Sequence, residues 1–386
     1  MRQLLRLVTV IAATATALLA APAVLANAQA PTSGADHAVF VQTNDPAGNS
    51  IVAYSRNDDG TLTYAATYPT GGTGGRAAGA AVDPLASQSS LVYDAQHGLL
   101  FAPNAGSNTV SVFGVSGDRL RLNQVISSGG PFPASIGVHG ALAYVLDAGN
   151  AGYVNGYRIE GGTLHPIEGS LRSLNLPNAN PPFFLSAPAQ VGFTPDGRDL
   201  VVTLKGNNGG SVDAFDVTPS GRLSSEPIRT TIGGNAFAFV FDPAGQLVIV
   251  NAAFGNLSTY QVNSNDTLSL ISAGAPDGQA AACWVATARN NYYAANAGSG
   301  TLSQYQIAGN GTVTLKNPVA AGGIPGAVDM AVTGDQHFLY SQSGGSSSIR
   351  GFAVNVDGSL TPVGSWVIPD GGSQEGIAAA LSLIHI

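Results

Sequence analysis

The chain has 386 residues, of which only 10% are charged while 50 are glycine. A hydrophobic content of 44% with so little charge excludes an intrinsically disordered chain, which needs low hydrophobicity and high net charge. Lys plus Arg number 15 against 23 acids, a net charge of −8 with no basic stripe, which argues against nucleic acid and anionic membrane surfaces as partners.

In chain order, the first element reads as a secretory signal. Arg2 and Arg6 form a positive start, Leu7 to Leu19 is apolar, and Ala26-Asn27-Ala28 is a small-residue cleavage site. This predicts a signal peptide over 1–28 and a short linker over 29–37, with export to the periplasm or the medium. The apolar run is too short for a membrane anchor and lacks a stop-transfer flank, so no membrane insertion is expected. Loss of the two arginines takes the net charge to −10.

From residue 38 onward a unit recurs seven times. Each copy has short apolar strands, a Gly/Asn/Ser loop, then a turn leading into Gly-x-Leu or a close variant. The last residue of that turn is Leu62, Leu120, Leu164, Leu223, Leu268, Val313 and Leu360. A spacing of 44 to 59 residues in all-strand sequence predicts an all-β fold, a seven-bladed β-propeller over 38–380. Six hairpins join first and second strands, among them Asp94 to Gly98, Thr194-Pro-Asp-Gly197 and Asp242-Pro-Ala-Gly245. The seventh is missing because the chain begins with an outer strand, Ala38 to Val41, and finishes with an inner-type strand, Glu375 to Ala379. Pairing of the two predicts a first blade closed by the C-terminal strand, which removes an open sheet edge. The last six residues, LSLIHI, match the translation of a sequencing-library adapter, so 381–386 are expected to be a non-native tail.

Two connections are unusually long and are expected on one face of the ring. Gly71 to Ser89 is rich in Gly, Ala and Ser and carries Arg76. Leu174 to Pro188 carries Phe183 and Phe184, which could cover the channel mouth. Counting inner-strand positions back from the hairpins predicts a polar ring of Ser90, Ser135, Gln190, Ala238, Cys283, Asp329 and Glu375. A neighbouring ring of Ser89, Ala134, Ala189, Phe237, Ala282 and Val328 is largely apolar. Asp329 and Glu375 fall on adjacent blades, where two carboxylates can bind a cation, run acid/base chemistry, or simply hydrogen-bond backbone near the axis.

Other candidates carry less. Cys283, the one cysteine, sits in an apolar strand pattern and reads as a buried, inert thiol without a disulfide. His37, His97, His139, His165 and His337 are scattered at turns and strand edges without metal-ligand spacing, so no metal is expected. Gly71 to Gly75 lacks the helix and the Lys-Ser/Thr of a phosphate cradle, and no nucleophile elbow is present, so no cofactor is expected.

The blade pattern, with Thr194-Pro-Asp-Gly197, Asn104-Ala-Gly-Ser-Asn108 and the Gly-x-Leu turns, resembles the lactonase-type seven-bladed propeller family. That family includes 6-phosphogluconolactonases and carboxymuconate-cyclising enzymes. The resemblance covers residues 38–380. It implies reacting groups at positions that here hold Ala187, Ala189, the Phe237-Ala238 pair, Ala252 after Asn251, and Ala297 after Asn296. Alanine and phenylalanine supply neither acid/base nor oxyanion stabilisation. The expectation is a monomeric, exported, lactonase-like propeller without the family's catalytic residues. It would bind a small polar ligand or a protein on the loop face, through Arg76, Ser90, Ser135, Phe183, Phe184, Gln190, Asp329 and Glu375. The alternative is a divergent hydrolase or isomerase of sugar or acyl lactones.

Overall fold

A computed structural model describes residues 37–381. The expected signal segment and all but the first residue of the expected tail lie outside the described residues. Seven antiparallel sheets, all four-stranded save for a short fifth strand in one, follow one another along the chain. Their innermost strands contact each other in a closed ring: Ile377–Leu381, Val92–Asp94, Pro133–His139, Pro188–Phe193, Ala236–Phe241, Ala282–Ala288 and Ala327–Val332. These define blades 1 to 7, a seven-bladed propeller.

Blade 1 is closed as the sequence predicts. Its innermost strand, Ile377–Leu381, pairs antiparallel with His37–Gln42, with Leu381 still in register opposite His37. The outer strand expected at the N-terminus is second in its blade, between the closing strand and Ser50–Arg56.

The layers follow from side-chain alternation. Second strands are buried on both faces, as in Leu99–Asn104 and Asn291–Asn296, because each blade packs between two others. Outermost strands such as Leu62–Pro69 are largely exposed after their first residue. The Gly-x-Leu turn locks blade to blade. The hydroxyls of Tyr144, Tyr293 and Tyr340 donate to the carbonyls of Gly221, Gly358 and Gly60 on the following blade, at 2.6, 2.6 and 2.7 Å. Gly60 has φ +82°, and a Cβ there would lie 2.2 Å from the Phe338 ring, so only glycine fits.

The inner strands are not regular. Five of the seven bulge where they near the loop face: in four, Ala134 falls between Pro133 and Ser135, Ala189 between Pro188 and Gln190, Cys283 between Ala282 and Trp284, and Asp329 between Val328 and Met330, and blade 5 shifts between Ala236 and Phe239. A bulge inserts one unpaired residue and re-aims the side chains around it. The polar ring obtained by counting therefore mixes two classes. Ser135 and Gln190 are paired residues beyond the bulge, while Cys283 and Asp329 are the bulged residues themselves.

Candidate functional site: a plugged channel with a cavity on the loop face

The 71–89 connection does not stay on the surface. Its final stretch, Asp83 to Ser89, crosses the channel and is bonded by blades on opposite sides. Glu375 of blade 1 accepts from the Leu85 and Ser87 amides, at 2.6 and 3.2 Å. Ser87 Oγ donates to Ala134 O of blade 3, and the Gln88 amide donates to Ala189 O of blade 4. From blade 6, Trp284 Nε1 donates to Ser87 O at 2.8 Å, and the Val285 amide donates to Gln88 Oε1 at 2.9 Å. Left-handed backbone at Ala86 (φ 55°) and Ser89 (φ 62°) makes the sharp bends. The segment is a plug, and it takes the place of the upper part of blade 2's inner strand, which is only three residues long.

Lys205 completes the plug's anchorage. It directly follows the second strand of blade 4, Asp199–Leu204, at the position that Ala105, Ala148, Ala252 and Ala297 occupy in blades 2, 3, 5 and 6. Its Nζ donates to Ala86 O and lies 4.7 Å from the centre of the Phe237 ring. Burial pushes the ammonium down to about 8, although Asp83 and Glu375 nearby favour its charge. Burial likewise pushes the Asp83 and Glu375 carboxyls up, and the two are hydrogen-bonded to each other, as one shared proton allows. The Asp83–Glu375–Lys205 group therefore sits near electrical neutrality.

Above the plug lies a cavity of about 550 Å³. Phe184, Leu185, Phe237 and Trp284 form apolar walls, Ala252, Ala281, Ala297 and Gly298 leave room, and Asp83, Lys205 and Asn235 are the polar lining. Phe237 and Trp284 meet edge to face, with centroids 5.1 Å apart. Phe184 reaches the rim because the two long connections bond to each other: the Ala78 amide donates to Pro182 O and the Phe184 amide to Ala78 O.

Of the eight residues expected from sequence to bind ligand, Phe184 lines this cavity and the others do not. Phe183 is exposed and stacks edge-on against Phe184. Arg76 straps the plug loop, donating to Ala80 O, Ala81 O and Ser373 Oγ. Ser135 Oγ accepts the Val191 amide, and Gln190 exchanges two hydrogen bonds with the Phe239 backbone, so both join neighbouring blades. Ser90 is buried, with no hydrogen-bond partner for its hydroxyl. Asp329 and Glu375 do lie on adjacent blades and both bond backbone. Asp329 accepts from the Met330 and Ile377 amides, and burial, partly offset by those amides, pushes its carboxyl up to about 7. Cys283 lines the cavity, with burial pushing its thiol up and away from the reactive thiolate. Lys205 and Asp83 were missed. The signal for Lys205 was available, because the residue after each second strand is otherwise small.

No protein-family model and no curated protein matches this sequence. Solved structures do. A protein from Lactobacillus plantarum aligns over 89% of this chain and 98% of its own, with 16% identity and a TM-score of 0.68. The periplasmic gluconolactonase of Pseudomonas aeruginosa aligns over 89% and 99%, also with 16% identity and a TM-score of 0.68. A putative 6-phosphogluconolactonase from Bacteroides fragilis aligns over 91% and 100%, with 15% identity and a TM-score of 0.66. The chain therefore has the fold of lactonase-type seven-bladed propellers.

Proposed function

We propose that this chain is an exported binding propeller whose loop-face cavity takes a small, mostly apolar ligand with one uncharged hydrogen-bonding end. The observation that carries this is the cavity's lining: apolar and aromatic walls, with polar groups gathered at Asp83, Lys205 and Asn235. This moves the expected ligand away from a strongly polar one. A phosphorylated sugar would need several cationic donors, and the one lysine here is already bonded to Ala86 O. The positions where the lactonase resemblance implies reacting groups support the same reading, since Phe237, Ala252 and Ala297 line the cavity and offer no acid, base or oxyanion donor. Export is supported by the N-terminal sequence pattern. The test is a thermal-shift screen of the purified chain with small apolar alcohols, ketones and lactones. Hits should raise the melting temperature of the wild type, and Ala297→Trp, which fills the cavity, should abolish the shift. A ligand bound equally well by Ala297→Trp overturns the assignment of the cavity.

A second reading has one observation in its favour. A buried amine and two buried carboxyls with displaced proton affinities adjoin the cavity, an arrangement that recurs in active sites. It requires turnover of a lactone that Lys205→Met removes while ligand binding persists.

A further inference from the structure

At the opposite end of the blade-4 second strand from Lys205, at the seam of blades 4 and 5, three aspartates converge. Asp199 opens the second strand of blade 4, and Asp216 lies directly opposite it on the third strand. Asp266 belongs to the outer turn of blade 5. One carboxylate oxygen from each lies within 4.8 Å of the others. Asp199 is 2% exposed; Asp266 hydrogen-bonds to its side chain, its Oδ1 meets no N–H donor, and Asp216 faces solvent. The nearest cation, Arg198, reaches only 3.7 Å from Asp199 Oδ2 on a largely exposed side chain and is shared with Asp196.

Asp266 is the informative member. The corresponding turn position in blades 1, 4, 6 and 7 holds Gly60, Gly221, Gly311 and Gly358, all with positive φ. Asp266 keeps that left-handed conformation, with φ 63°, and brings a carboxylate to a seam that already has two. Like charges directly opposite each other on paired strands are destabilising, and a buried carboxylate oxygen without an N–H donor costs more. An oxygen-only set of three carboxylates, open to water on the Asp216 side, is the donor chemistry of a hard divalent cation with flexible geometry.

We propose that Asp199, Asp216 and Asp266 form a calcium site that joins blade 4 to blade 5. Three protein carboxylates completed by water make a weak site, suited to the calcium concentrations met by an exported protein. The site is independent of the loop-face cavity.

The test uses the full chain, stripped with EDTA and returned to calcium or magnesium. Millimolar calcium should raise the wild-type melting temperature by about 2 °C or more, and should displace bound terbium from its luminescent complex. Asp266→Gly restores the residue that four other blades use, so it folds. It should lose both the calcium shift and the terbium signal, and in EDTA should melt no lower than wild type. Absence of a calcium shift and a terbium signal in wild type overturns the proposal. So does an equal calcium response in Asp266→Gly, which would place the ion elsewhere.

Discussion

Replacing Asp147 by Asn should stabilise the propeller, by an amount that grows with pH. Asp147 ends the second strand of blade 3, where blades 2, 5 and 6 have Asn104, Asn251 and Asn296. Those asparagines are donors. Asn104 Nδ2 bonds the Thr109 and Ser111 hydroxyls, and Asn296 Nδ2 bonds Thr301 and Ser303. Asp147 is fully buried, and neither carboxylate oxygen has a hydrogen bond of good geometry. The adjacent Ser128 hydroxyl is turned toward Asn108 O and Gly130 O. Burial pushes the Asp147 carboxyl up from 3.8 to about 8, with Ser128 and the Gly130 amide offsetting only part. The folded state therefore holds this proton more tightly than the unfolded chain, and stability falls as pH rises from about 4 to about 8. At roughly 1.4 kcal/mol per unit, the loss by pH 7 comes to about 4 kcal/mol or a little more as an upper figure. Asn cannot ionise, so the variant should match wild type near pH 4 and exceed it by about 2–4 kcal/mol at pH 7. Urea unfolding of both proteins at a series of pH values, read as midpoint at unchanged slope, measures this. A difference between the two proteins that stays flat with pH refutes the reasoning.

Other substitutions probe the locks described above. Gly358→Ala would put a Cβ 2.5 Å from the Asn291 side chain at φ +82°, and should cost about 2–3 kcal/mol in urea unfolding. Trp284→Phe leaves Ser87 O without its donor and opens space beside the cavity, for a loss of about 2–4 kcal/mol in the same assay. Lys205→Met keeps the side chain's length but leaves Ala86 O unpaired. Stability near pH 7 should fall by about 3–5 kcal/mol, because the Asp83–Glu375 pair loses its balancing charge, and by less at acid pH, where both carboxyls are protonated.

The propeller was legible in the sequence because its signals are repeated. Seven turns ending in Leu62 through Leu360 fix the blade count, and Glu375 to Ala379 has the apolar pattern of an inner strand without a partner hairpin. The plug was not legible. Leu85, Ser87 and Ser89 are held largely through their backbone amides and carbonyls, which every residue possesses, so the Gly/Ala/Ser-rich stretch reads as a surface loop. The bulges were hidden for a related reason. An extra residue such as Ala134 or Cys283 leaves the apolar pattern intact while shifting every position beyond it. Asp329 and Glu375 were placed correctly on neighbouring blades, but what they face was decided by a distant segment.

The plug gives a loop the protection of a core strand. Its amides at Leu85 and Ser87 are held by Glu375 from the blade that both chain ends build, while its carbonyls are held from blades 4 and 6. No single blade can loosen its grip and free the segment. Solvent exchange at those two amides should therefore require the whole ring to open, at a rate set by global unfolding, whereas the glycines just upstream should exchange by local motion. The centre of this wheel is made of chain that has no regular secondary structure, and it would be among the last parts to let go.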